Sequence, residues 1–301
     1  VAMRDYLAGE IAEDFSDGLL GRREALRRLG LLGLSVAAAS SLLAACAEPA
    51  PSAPAPPAPP TGAAAPPGRG AGVRPGEEVR FAGPAGELRA AWAAPADGAT
   101  RGGVLVLHEN RGLTAHFYDL VGRLAGAGYA ALCVDLLSAQ GGTAALTDPA
   151  QAPATLAGKP APALVGDLRA GLDELARRVP GHKLGALGFC FGGGLTWQLL
   201  QAGETRLAVA IPCYGPAPDQ PDFSRAKTTA VLAVYAALDA RVNASRERAE
   251  NALRAAGLTY QVRTFDGADH AFFNDTGARY NATAAQQAYD AWLDWFGRYL
   301  R

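Results

Sequence analysis

The sequence has almost no net charge: 28 basic residues offset 29 acidic ones, leaving −1 over 301 residues. A nucleic-acid binder would carry a basic excess or a basic stripe, so the balance argues against nucleic acid as a partner. No Gly-x-Ser-x-Gly occurs, so the chain offers no serine on a tight strand-to-helix turn. His108-Glu109 lacks the second histidine of a zinc-binding H-E-x-x-H, whose place holds Gly112, and neither metal nor cofactor is expected. Long hydrophobic runs are missing too. The uncharged apolar stretch at 29–46 is short for a spanning helix, which needs about 20 residues.

What is present is unevenly distributed. Hydrophobic residues make up 49% of the chain, ample for one large domain or two smaller ones. Proline crowds into 49–67, and 46–72 is almost all Ala, Pro and Gly. Such a stretch cannot bury enough apolar surface to offset chain entropy and reads as a disordered, partly extended linker. Ahead of it, 1–45 has the order of an export signal: the basic segment Arg22-Arg23-Glu24-Ala25-Leu26-Arg27-Arg28, then uncharged apolar residues. The Arg22-Arg23 pair suggests the twin-arginine route, which carries folded cargo. Leu43-Ala44-Ala45-Cys46 resembles a bacterial lipoprotein cleavage box, which implies cleavage before Cys46, lipidation of its sulfur and a membrane-tethered place in the cell envelope. An uncleaved anchor helix is the alternative. Residues 1–20 show no recognisable site.

The folded domain is expected over 73–301. Two strands flanking Gly83-Pro84-Ala85-Gly86 read as an opening hairpin, and Gly103-Val104-Leu105-Val106-Leu107 is a continuous apolar run typical of a strand buried on both faces. Strand patterns at 130–134, 183–187, 207–211, 230–235 and 260–265 then alternate with helix patterns at 116–127, 163–178, 191–201, 243–256 and 284–299. That alternation predicts one α/β domain with helices on both faces of a mostly parallel central sheet.

Within that domain, Gly188-Phe189-Cys190-Phe191-Gly192-Gly193 joins a strand to a helix as a nucleophile elbow of the α/β-hydrolase fold does, with cysteine in place of serine. Alone, the motif fits a buried cysteine in a glycine-rich loop equally well. Two further residues fall after later strands in the order such a triad requires: Asp239 after 230–235 and His270 after 260–265. Cys190 is the expected nucleophile, His270 the base and Asp239 its orienter. The amides of Phe191, after the nucleophile, and Asn110, after an early strand, are the expected oxyanion hole, each donor contributing about 2.7–4 kcal/mol. His116 and His182 stand alone and read as plain surface residues. Cys133 and Cys213 read as free, buried thiols.

Four stretches together resemble the dienelactone hydrolase (carboxymethylenebutenolidase-like) family: Leu107-His108-Glu109-Asn110-Arg111-Gly112, the Cys190 elbow, Leu238-Asp239-Ala240-Arg241-Val242 and Gly267-Ala268-Asp269-His270-Ala271-Phe272-Phe273-Asn274. The resemblance implies an α/β-hydrolase fold and a Cys-His-Asp triad that hydrolyses a small-molecule ester or lactone through an acyl-cysteine. It also implies that Glu109 contacts the resting cysteine until substrate displaces it; a salt bridge from Glu109 to Arg111 or another basic group is the plainer reading. One departure matters. The family carries a carboxylate-binding arginine where Ala139 aligns, which removes a contact worth about 1.5–3 kcal/mol and puts dienelactone itself in doubt as substrate. Arg111 and Arg241 are the candidate replacements. A non-catalytic envelope binding protein on the same fold and a thiol-dependent acyltransferase remain open at this point.

Overall fold

Strands whose side chains are apolar on both faces demand cover on both faces, and the chain supplies it. The structure is a computed structural model that describes residues 3–46 and 65–301. Three helices come first: α1 (Met3–Ser16), α2 (Arg22–Leu31) and α3 (Val36–Cys46). The hairpin β1 (Glu77–Gly83) and β2 (Gly86–Ala93) opens the domain. Then follow β3 (Gly103–Leu107), α4 (Ala115–Gly126), β4 (Ala130–Val134), α5 (Ala152–Ala157), α6 (Ala161–Arg178), β5 (Leu184–Phe189) and α7 (Phe191–Gln201). The chain ends with β6 (Leu207–Cys213), β7 (Ala230–Ala236), α8 (Ala240–Asn243), α9 (Arg246–Ala255), β8 (Tyr260–Phe265) and α10 (Ala282–Tyr299).

The eight strands form one sheet in the order β1-β2-β4-β3-β5-β6-β7-β8. Two pairings are antiparallel, β1 with β2 in the hairpin and β2 with β4; from β4 to β8 every pairing is parallel. Every residue of β3, β4, β5 and β7 is buried, as their unbroken apolar runs require. Helices α4 and α10 meet, with Tyr289 of α10 donating to the Arg123 carbonyl of α4 at 3.0 Å, while α6 packs against α7 and the sheet. Phe189, the last residue of β5, meets Phe117, Phe273 and Trp292 at ring separations of 5.4–5.8 Å, so an aromatic cluster lies directly beneath the nucleophile position.

Three local departures from the sequence pattern have physical causes. β6 runs on past the expected stop at Ile211 through Pro212 to Cys213; lacking an N–H, Pro212 leaves a gap in the pairing with β7, which resumes at Cys213↔Val234. The helix expected over 243–256 starts late, as α9 at Arg246, after the separate short helix α8. Ser245 separates them, its buried hydroxyl donating to Val242 O and accepting from Ala217 N–H. The linker expected over 46–72 ends early, because the Pro67 carbonyl accepts from buried Arg123 and Arg69 pairs with Asp119 at 2.8 Å. The rest of that linker, 47–64, lies outside the described residues.

The close approach of α7 to β5 depends on glycine. A Cβ on Gly188 would run into Thr196 Oγ1 and into the Gly192 carbonyl, which cannot retreat without moving the first turn of α7. Gly188→Ala is therefore expected to destabilise the domain by roughly 1–3 kcal/mol, read as a lower midpoint in urea unfolding.

Candidate active site

The turn from β5 into α7 forces Cys190 to φ 55°, ψ −117°. Among the described residues only three non-glycines have positive φ, Cys190, Tyr214 and Ala271, and all three border one site. Strain of this kind costs about 1–3 kcal/mol per residue and persists only where the surroundings over-determine it. Asp239 caps α8 by accepting from Val242 N–H at 3.0 Å, which fixes its second oxygen 2.6 Å from His270 Nδ1. The edge of the Tyr214 ring packs against His270 at 5.4 Å between centroids. His270 Nε2, Cys190 Sγ and a Glu10 carboxylate oxygen lie within 4.8 Å of one another, all buried. The three expected catalytic positions thus meet at one rim of the sheet.

The β3–α4 loop is pinned by His108, whose Nε2 accepts from Leu136 N–H at 3.1 Å, which leaves Nδ1 to donate to the Glu109 carbonyl at 2.7 Å. That places Asn110 on the wall of the cavity that includes Cys190 and His270. Glu109 does not reach the thiol. Its oxygens accept from Tyr214 O–H at 3.4 Å and Asn274 Nδ2 at 2.7 Å, and no ion pair with Arg111 forms among the described residues. Both expectations for Glu109 are corrected: these two neutral donors satisfy the carboxylate, and another acid holds the place beside the sulfur.

That acid is Glu10 of α1. Cys190 S–H donates to its Oε1 at 3.0 Å, His270 Nε2 lies 3.0 Å from the same oxygen, Asn110 Nδ2 donates to Oε2, and Arg241 Nη2 is 3.6 Å away. Tyr6 of α1 donates to Cys190 Sγ at 3.5 Å and lies under the Arg241 guanidinium at 4.6 Å. Nothing in residues 1–20 signalled these roles. The one trace is the acidic spacing of Glu10, Glu13, Asp14 and Asp17, which reads as an ordinary solvated helix face. Glu10, Cys190 and His270 also offer O, S and N ligands that could hold a thiophilic ion such as zinc.

Of the remaining candidates, Arg241 points into the site, and Arg111 is exposed at the mouth of a cavity of about 350 Å³ that includes Cys190, His270 and Glu10. Ala139 is exposed in the turn Ser138–Gln140. Cys133 and Cys213 are free and buried. His182 is exposed, but His116 is not on the surface: it is 2% exposed, with Nδ1 2.6 Å from Asp275, because α4 turns it inward against Phe117 and Phe273. The side chain of Cys46 lies outside the described residues.

A sheet with this order, carrying a cysteine elbow and an Asp-held histidine at its rim, is that of an α/β hydrolase. The dienelactone hydrolase family model matches residues 88–300, and the chain belongs to that family. It is 33% identical over 211 residues to an Escherichia coli O157:H7 protein named "putative carboxymethylenebutenolidase", covering 65% of this chain and 76% of that one. A protein of the same name from Methylorubrum extorquens is 31% identical over 235 residues, covering 74% and 80%. Among solved structures, a "putative dienelactone hydrolase" from Klebsiella pneumoniae superposes with TM-score 0.66 at 29% identity over 74% of this chain and 98% of that one. A dienelactone hydrolase-like promiscuous phosphotriesterase from metagenomic libraries gives 0.66 at 25% identity over 75% and 98%.

Electrostatics set the resting state. Burial, then the Glu10 charge, push the Cys190 thiol up to about 12 against the pull of His270. Burial acts to raise the Glu10 carboxyl, but His270 and Arg241 hold it at about 2. Burial acts to lower His270, and Asp239 outweighs it, leaving the imidazole well above its usual range. The depressed Glu10 therefore stabilises its contacts fully above its ordinary 4.5 and loses that contribution as pH falls towards 2. The raised His270 contributes fully below its ordinary 6.5 and loses its share as pH rises through the folded value. Iodoacetamide labelling of Cys190, followed by mass spectrometry, should accordingly show no inflection near 8.5, the usual thiol value. Glu10→Gln, which deletes the repelling charge, should move the inflection down.

Proposed function

We propose that this protein hydrolyses activated esters or lactones through an acyl-cysteine on Cys190. The observation that carries the reading is His270, held by Asp239 at 2.6 Å through Nδ1 and presenting Nε2 towards Cys190 Sγ. With Glu10 out of the site, His270 loses a carboxylate that favours its cation and releases its Nε2 proton to solvent; the thiol, freed of a repelling charge, then gives its own proton to the neutral Nε2, and Asp239 stabilises the imidazolium. The thiolate attacks the acyl carbon, and the amides of Asn110 and Phe191 face the oxygen that gains charge. The leaving alkoxide or enolate takes the proton from His270. Water, deprotonated by His270, then attacks the thioester, and collapse of the tetrahedral adduct returns the proton to sulfur. A thiolate suits activated acyl groups, because the amine of an unactivated amide leaves less readily than sulfur.

Arg241 is the residue proposed to receive a substrate carboxylate, since it already sits 3.6 Å from the Glu10 carboxylate. Arg111, at the mouth, is its second candidate. Glu109 modulates the thiol by its charge, which raises the sulfur's proton affinity without touching it. The relatives' names, carboxymethylenebutenolidase and dienelactone hydrolase, support a lactone-directed reading. Cys190→Ala should lower turnover of an aryl ester by about three orders of magnitude or more with the circular-dichroism spectrum unchanged; an undiminished rate would remove the claim.

Export and lipidation belong to the same proposal. Arg22-Arg23 opens α2, and the uncharged α3 ends at Cys46, where cleavage and acylation are proposed to tether the domain in the cell envelope. No helix among the described residues is long and apolar enough to cross a membrane, so the tether in this reading is the lipid. Expressed in a bacterium fed labelled palmitate, the wild-type chain should take up label and Cys46→Ala should not.

A further inference from the structure

We propose that helix α1 is an intramolecular inhibitor, with Glu10 filling the acyl site; this rests on the reading of Cys190 as the hydrolytic nucleophile. A carboxylate is a poor electrophile, so Glu10 can occupy the nucleophile without being consumed. Its oxygens take the Cys190 S–H and the Asn110 side chain, with His270 and Arg241 alongside. Those are the groups an incoming ester would need. At 6% exposure and with no part in the chemistry, Glu10 blocks the site it completes.

The fit extends beyond one side chain. Three acids of α1 and Asp17 just beyond its end lie against basic residues that border the site: Glu10 and Glu13 on Arg241, Asp14 and Asp17 on Arg279 at 2.8 and 2.5 Å. Arg279 also lies 3.5 Å from Asp269, next to the catalytic histidine. At the other flank Arg27 of α2 pairs with Asp148 at 2.6 Å. α1 walls two cavities, contributing Glu10 to the one that includes Cys190 and Met3 and Tyr6 to one of about 500 Å³ that includes Phe191. Access to the elbow from either side is therefore past this helix. If cleavage takes place before Cys46, the same cut detaches the inhibitor from the domain, and hydrolysis begins only on the mature protein.

The test uses the full chain with substitutions outside the catalytic machinery. Asp14→Arg with Asp17→Arg should unseat α1 and raise both aryl-ester kcat/KM and the rate of Cys190 alkylation by about tenfold or more, because the site is then open for a larger share of the time. Glu10→Ala should do the same by removing the plug itself. Adding Arg279→Glu to the double variant should restore inhibition, a reversal that a merely misfolded chain would not show. If alkylation and turnover are unchanged in all these variants, the inhibitor is disproved. If alkylation accelerates while no ester is turned over by any form, the inhibitor stands and the hydrolase reading fails.

Discussion

A cysteine at φ 55° has left the backbone region that side-chain-bearing residues prefer, and the rest of the site depends on what holds it there. The restraint is the contact between β5 and α7, where glycines let helix and strand approach more closely than any Cβ would permit. Cys190 N–H donates to the Cys213 carbonyl of β6 and its own carbonyl accepts from Gly194, so the strained residue is fixed from both sides. Stiff, fully buried strands beneath it leave the sulfur one direction to point, towards the rim where β7 and β8 deliver Asp239 and His270.

Charge at that rim alternates. Buried Asp239 holds a histidine that faces a buried glutamate, and the glutamate faces Arg241, so each charge has a partner of opposite sign. Taking such groups out of water is costly unless each is paired, so removing one member leaves its neighbour exposed to the full desolvation penalty. The thiol is the neutral exception. Buried, and with the Glu10 and Glu109 charges close by, it keeps its proton.

The fold was legible because parallel strands buried on both faces have no alternation to hide them: 130–134 coincides with buried β4 residue for residue, as 260–265 does with the half-exposed edge strand β8. The elbow and its partners were legible because strand ends, glycine and the order of residue types leave few other arrangements. What stayed hidden was long-range. Glu10 and Tyr6 reach Cys190 across 180 and 184 residues of chain, and no local pattern encodes that contact. The inward turn of His116 and the satisfaction of Glu109 by Tyr214 and Asn274 depend in the same way on partners far along the sequence.

The point where the linker joins the domain would decide how the protein bears load in the tethered form proposed above. Arg69 pairs with Asp119, Pro67 leans on Arg123, and Gly76 N–H donates to the Tyr118 carbonyl at 2.7 Å, so the chain is riveted to α4 before it enters β1. In the proposed tethered form, a pull along the linker would meet ion pairs on a helix rather than unzip the edge strand one hydrogen bond at a time. Drag on a domain anchored in that way would be shunted past the sheet, leaving the geometry at its rim unstressed.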